Sequence, residues 1–351
     1  MLLTVAAADA LNRLDTFSAI IDARSESEHA LDRLPGAVNW PSLNDAERAS
    51  IGTEYKQVSP FSARKRGAML VARNVAAHIE REVLDKPKDW NPLVYCWRGG
   101  HRSGALGLVL GQIGFKVHLL EGGYREYRRA VLAALESLPG RMDCRVVCGS
   151  TGSGKSRLLH ALHAQGAQVL DLEALAEHRG SVLGLPPGTV QPSQKQFDSR
   201  IWDALRRFDP QRPVYVESES RKVGDLRVPP ALIERMRTAP CLQLDLALDQ
   251  RVALLIADYD FFVRDTKTLC ERLDALRALR GNSTVNAWQE AAQAARTSEL
   301  VRALLVEHYD PGYAQSMLRN FAGLAAPKVE LSWDGSDASL VNAAARAIGA
   351  G

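Results

Sequence analysis

The run Gly149-Ser150-Thr151-Gly152-Ser153-Gly154-Lys155-Ser156 constrains the fold more than any other part of the chain. It satisfies GxxxxGK[ST] in full. The apolar stretch Cys144-Arg145-Val146-Val147-Cys148 before it reads as a strand, and the amphipathic pattern from Arg157 to Ala164 after it reads as a helix. Strand, glycine loop and helix in that order belong to a parallel α/β sheet. Successive N–H groups of such a loop form a nest for a phosphate, and the helix dipole favours the anion. Lys155 adds a charge and Ser156 can hold Mg2+. The motif does not name the owner of the phosphate, because NTPases, kinases and other diphosphate users share it. An acid at the end of a neighbouring strand should assist. Asp171 and Glu217 both qualify, with Glu219 behind the latter, although acids also cap strands and helices for structural reasons. Arg221 and Lys222 follow these acids and either contact phosphate or neutralise them.

A second loop carries a different chemistry. Pro92-Leu93-Val94-Tyr95 reads as a strand, and it delivers Cys96-Trp97-Arg98-Gly99-Gly100-His101-Arg102-Ser103 to the start of an apolar helical pattern. A cysteine there faces a cup of backbone N–H groups, a helix N-terminus and two arginines, which together favour a thiolate. Cysteine is also among the most buried residue types and often only fills space. The company of Arg98, Arg102 and Ser103 makes Cys96 a candidate nucleophile, with the arginines holding an anion. Cys144 and Cys148 share a strand face, but without two further ligands a zinc site is not expected.

Length and composition set the frame around these loops. With 351 residues, 46% of them hydrophobic, the chain can bury more than one core, and the length prior suggests about two domains. Alternating short strands and helices describe one α/β domain over residues 1–138, and a second, 139–351, holds the glycine loop and a helical C-terminal part. Residues 42–66 read as a polar, irregular, basic loop, in which Lys56, Arg64, Lys65 and Arg66 can meet a nucleic-acid backbone. Helical spacing runs from Gly67 to Leu84. A Gly/Pro-rich loop from Gly180 to Gln194 is long enough to act as a lid, and Lys328 to Trp333 reads as a last strand. The net charge of +3 permits nucleic acid as a partner without demanding it. Five cysteines without paired spacing argue against a disulfide framework. No basic leader and no apolar run of membrane-spanning length occurs, so a soluble cytoplasmic protein is expected.

Asp22-Ala23-Arg24, Leu34 to Pro41, the Cys96 loop and Glu121-Gly122-Gly123-Tyr124 together resemble a rhodanese domain. Followed by a P-loop domain, the arrangement resembles the tRNA 2-selenouridine synthase family. The likeness extends across Ser59-Pro60-Phe61, Gln194 to Phe197, Glu217 to Gly224 and His308-Tyr309-Asp310-Pro311. The resemblance implies two reactions on the wobble 2-thiouridine of tRNA: geranylation from geranyl diphosphate, then replacement of the geranylated sulfur by selenium from selenophosphate. It implies a diphosphate in the 149–156 nest with Mg2+, selenium chemistry at Cys96 as carrier or exchange catalyst, and a selenophosphate-producing enzyme as a partner. A geranyl slot would fall near Leu254-Leu255-Ile256 and Phe261-Phe262, which also read as plain helical core. Arg251, Arg264, Lys267 and Arg272 would face either tRNA or solvent. Two other readings stand beside it: an ATP-dependent tRNA sulfurtransferase, and a binding module that has lost catalysis.

Overall fold

The computed structural model describes the chain except Gly99, Val182, Pro186, Pro187, residues 326–328, Gly351 and the side chain of Val263. Contacts divide it into two compact units, Met1–Ala134 with Asp198–Arg200, and Leu135–Phe197 with Ile201–Gly351.

In the first unit five short strands, β1 (Leu2–Val5), β2 (Ile20–Asp22), β3 (Ala37–Asn39), β4 (Leu93–Tyr95) and β5 (Val117–Leu120), form one parallel sheet in the order β1-β5-β4-β2-β3. Every residue of β2 and β4 is buried, as continuous apolar strands of a sheet covered on both faces should be. Ile21, Val94, Leu106, Leu110 and Val117 lie together in its core. Because β4 is central, the loop after it opens at the carboxyl edge of the sheet, where α/β folds bind their ligands.

Residues 42–66 are not an irregular loop. Asn44 caps a helix over Asp45–Gln57 through a capping box with Glu47, and Ser59 caps a second over Pro60–Glu82 with proline in its first turn. Lys56, Arg64, Lys65 and Arg66 therefore stand on helices, exposed, and Arg66 pairs with Glu54. The first of these helices has no buried residue, so its polar composition concealed it.

The second unit contains β6 (Cys144–Cys148), β7 (Gln168–Leu170), β8 (Val214–Glu217), the two-residue hairpin strands β9 (Lys222–Val223) and β10 (Leu226–Arg227), β11 (Cys241–Asp245) and β12 (Val329–Ser332). Its main sheet is parallel throughout, in the order β12-β11-β6-β8-β7, so the glycine loop after β6 lies at its centre. Helices Lys155–Ala164 and Asp337–Gly349 pack Leu158, Leu162, Leu340 and Ala344 into the core beside the sheet. Between β11 and β12 the chain is helical. Phe262, Leu269, Leu273, Trp288, Leu300 and Leu304 form a separate apolar cluster there. Lys328, the first residue of the expected last strand, lies outside the described residues. Among the described residues no helix is long and apolar enough to cross a membrane.

The tip of β2 carries a buried ion pair. Arg24 donates to Asp22 from Nε at 2.9 Å and from Nη2 at 2.6 Å, and its Nη2 also reaches the Asp32 carbonyl at 2.7 Å. The guanidinium lies 4.0 Å from the Tyr124 ring centroid. Burial works against the Asp22 carboxylate, but hydrogen bonds from His29 and Arg24 outweigh it and hold its pKa below the ordinary value. That contribution to stability is present above the ordinary carboxylate range and is lost as pH falls through the depressed value. Asp22→Ala leaves the Arg24 charge buried and unpaired, so denaturant unfolding of the full chain should show a loss of about 3–5 kcal/mol.

Candidate active sites

The Cys96 side chain is 4% exposed, at the end of β4. Helix His101–Ile113 starts right after Gly100 and points its N-terminus at the sulfur side of the loop. The Ser103 hydroxyl donates to Cys96 Sγ at 3.2 Å. Burial alone would raise the thiol pKa. The Ser103 hydroxyl, the N–H groups of Gly100 and Ser103 and the Arg102 charge overcome it, and the pKa is held below that of a free thiol. Arg102 is itself anchored, 2.9 Å from Glu28. Arg98 stands exposed in the loop, and Trp97 stacks on Tyr124 at 5.4 Å. Gly99 lies outside the described residues. The site is a buried thiol whose ionised form is favoured by the backbone donors around it, an arrangement suited to nucleophilic attack and to holding an anion.

The glycine loop of the second unit is pinned from three distant places. Trp333, next after β12, donates from Nε1 to the Ser153 carbonyl at 2.9 Å, and Arg251 donates from Nε to the Thr151 carbonyl at 2.9 Å. Arg251 is buried and bound bidentately by Asp310, so it is not a tRNA-facing cation. The Gly149 N–H donates to the Tyr313 hydroxyl at 2.6 Å, and Lys155 Nζ folds back onto the Gly149 carbonyl at 2.7 Å. Gly154 has φ +90, and a Cβ there would lie 2.4 Å from Trp333 Cζ2.

Four carboxylates gather at the rim. Ser156 donates to Glu173 at 3.3 Å, and the Glu173 N–H donates to Glu217 Oε1 at 2.8 Å. Glu217 is 2% exposed and its Oε2 has no hydrogen-bond partner among the described residues. Burial first, then the neighbouring Asp171, Glu219 and Glu173 charges, pushes the Glu217 pKa well up, and burial with Glu173 raises Glu219 to about 8. Asp171 is the N-cap of helix Leu172–Ala176, accepting from Ala174 N–H at 2.7 Å, while it also lines the groove over the loop. Arg221 and Lys222 line the same groove. Among the described residues no three Asp, Glu, His or Cys side chains converge as a metal cage.

An apolar cavity adjoins the glycine loop. Its internal volume is about 110 Å3. Thr151, Ser181, Leu255, Tyr259 and Tyr309 line both it and the groove above Lys155 and Ser156, and so mark the junction of the two. Leu255, Ile256 and Phe262, which also read as plain core, are on its wall. Sequence reasoning missed Glu173, although it stands two residues after Asp171, and it missed Tyr313 and Trp333, for which the chain carries no local signal.

Fold and loops together define the class: a rhodanese-like α/β unit followed by a P-loop α/β unit with a helical insertion. The rhodanese-like domain model matches residues 6–130, and the model for the tRNA 2-selenouridine synthase AAA domain matches residues 142–273. A tRNA 2-selenouridine synthase of Nitrosomonas europaea is 36% identical over 247 residues, 68% of this chain and 63% of that protein. One of Marinobacter nauticus is 36% identical over 246 residues, 68% and 65% of the two chains. One of Alcanivorax borkumensis is 30% identical over 332 residues, 86% of this chain and 90% of that one. In its alignments with the first two the chain spans just under two thirds of their length. The chain belongs to the tRNA 2-selenouridine synthase family.

Two outcomes check these sites. The rate of Cys96 alkylation should rise with pH about a midpoint below that of a free thiol, and Ser103→Ala should move that midpoint up, since the thiolate loses a donor. Gly154→Ala forces a strained φ and a clash with Trp333, so calorimetry should show inorganic pyrophosphate bound about tenfold more weakly or worse.

Proposed function

We propose that this chain is a tRNA 2-selenouridine synthase that works in two steps, geranylating the wobble 2-thiouridine of tRNA and then exchanging the geranylated sulfur for selenium. The observation that carries the reading is the apolar cavity opening onto the phosphate nest through Thr151, Leu255 and Tyr259. That pairing suits an amphiphilic diphosphate such as geranyl diphosphate. A nucleotide would fill the nest and leave the cavity unexplained, which counts against an ATP-dependent sulfurtransferase.

In the first step the thiocarbonyl sulfur attacks C1 of the geranyl group, the C1–O bond breaks, and its electron pair leaves on pyrophosphate. The N3 proton of the uridine is released to water. Lys155 and the loop N–H groups stabilise the charge that develops on the leaving group. The Ser156 hydroxyl and Glu173 carboxylate, 3.3 Å apart, are oxygen donors of the kind Mg2+ takes beside phosphate and water. Ser156 and Glu173 would hold the ion, with the unpartnered Glu217 oxygen behind them, and when bound it would neutralise charge on the diphosphate.

Alkylation converts a poor leaving group into a good one. The Cys96 thiolate then adds at C2 of the base and expels geranyl thiolate. Selenium of selenophosphate displaces Cys96 in turn, and water cleaves the P–Se bond to release phosphate. A selenopersulfide on Cys96 is the poorer reading, because forming an S–Se bond would oxidise the selenium of selenophosphate by two electrons and no oxidant enters the scheme. Arg98, Arg102 and the N–H cup hold the anionic donor. The partners are tRNA, the two small molecules and an enzyme that makes selenophosphate, in the cytoplasm. Lys56, Arg64, Arg221 and Lys222 are exposed cations available to tRNA phosphates.

Mass analysis of nucleosides from 2-thiouridine tRNA, after incubation with geranyl diphosphate and then selenophosphate, tests the scheme. Lys155→Ala should lose geranylation, whereas Cys96→Ala should keep it and accumulate the geranylated nucleoside. Neither modified nucleoside appearing with the wild-type chain would remove the reading.

A further inference from the structure

The apolar cavity has two ends that its lining residues distinguish. Thr151, Ser181, Leu255, Tyr259 and Tyr309 belong also to the phosphate groove and form the mouth. Leu269, Ala292, Leu300 and Leu304 line the cavity but not the groove, and form the inner wall. That wall is part of the buried cluster of the helical region, with Leu269, Leu300 and Leu304 at 8%, 2% and 5% exposure. A ligand held by its diphosphate at Lys155 therefore runs its tail inward toward these side chains.

Ala292 is the small residue of this buried wall, and Ala295, which is exposed, lines the cavity beside it. Ala292 lies one residue before the end of helix Asn282–Gln293. Ala295 follows that helix in a left-handed conformation, φ +55, its N–H donating to the Ala292 carbonyl at 3.1 Å while the Arg296 N–H donates to Ala291 at 2.9 Å. This closing turn fixes where both methyl groups sit. Interiors are close-packed, so what the wall leaves unfilled determines how much tail it admits.

We propose that the inner wall, at Ala292 and Leu300, sets the length of the isoprenoid tail that the site accepts. The inference rests on the isoprenoid diphosphate reading above and adds the residues that measure the chain. Bulk added at Ala292 takes away about one isoprene unit of room. Bulk removed at Leu300 leaves an apolar void, and such voids stay dry and take up apolar ligands.

The test compares dimethylallyl, geranyl and farnesyl diphosphates as donors to 2-thiouridine tRNA, using the full chain as wild type, Ala292→Phe and Leu300→Ala. In Ala292→Phe the ratio of geranyl to dimethylallyl kcat/KM should fall by about tenfold or more. In Leu300→Ala the ratio of farnesyl to geranyl should rise by a similar factor, since a single methylene in such a pocket is worth about tenfold or more. Each readout is a ratio on one preparation, so loss of folded protein cannot produce it, and the gain in Leu300→Ala cannot come from damage. Unchanged ratios in an active Leu300→Ala chain, or shifts in the same direction in both variants, overturn the length assignment and leave the isoprenoid reading standing. A wild-type chain that transfers none of the three donors overturns both.

Discussion

The backbone of the glycine loop is held by side chains from far along the second unit. Its carbonyls at Thr151 and Ser153 are taken by Arg251 and Trp333, and its first N–H by Tyr313. These three come from the helix after β11, the residue after β12 and a helix in between. A phosphate nest works because its N–H groups are preoriented and pay no reorganisation when the anion arrives. Here that preorientation is supplied over sequence separations of 100 to 180 residues. The C-terminal helices are therefore part of the phosphate site, since without them the loop carbonyls would turn freely.

The same reach explains the neighbouring cavity. Arg251 and Leu255 are one turn apart on helix Leu248–Asp258. The first holds the loop while the second lines the mouth of the apolar cavity. One helix thus sets the distance between the glycine loop and the apolar cavity. The pairing of Arg251 with Asp310 ties this helix to the one that supplies Tyr313. A displacement of either helix would move nest and cavity mouth together.

The chain reveals its local rules far better than its long-range ones. Both sheets were readable because their strands are short apolar runs between turn signals. The two functional loops were readable because each is contiguous in sequence and sits between a strand and a helix. The helix over Asp45–Gln57 was missed because it buries nothing, although Asn44 and Glu47 spelled out its capping box. Asp171, readable as an acid beside the nest, caps its helix through Oδ1 while it lines the groove, and Glu173, which no strand-end rule names, makes the contact to Ser156. Arg251 read as a surface cation because charge is usually exposed. Asp310, 59 residues on, and the Thr151 carbonyl, 100 residues back, account for its burial. No local pattern could have named Trp333 or Tyr313, whose work is done on a loop far back in the chain.

The two sites handle charge in opposite ways, and this bears on why one chain carries both. At Cys96 a helix N-terminus, N–H donors and Arg102 favour the negative form of a group that burial would keep neutral. Around Glu217 burial and crowding of like charge disfavour the negative form, and the Lys155 charge, which favours the ionised forms of Glu173 and Glu219, does not outweigh burial there. An added divalent cation or the cationic side of a bound ligand would relieve that strain, whereas a thiolate would add to it. In the two-step reaction proposed for this chain, transfer of an alkyl group from a diphosphate would need charge drawn out of the leaving group. Exchange of a chalcogen needs an anion stabilised while it remains nucleophilic. A single pocket cannot be tuned to both, because each environment shifts the other's titrating groups the wrong way. Separate loops, each at the carboxyl edge of its own parallel sheet, remove the conflict.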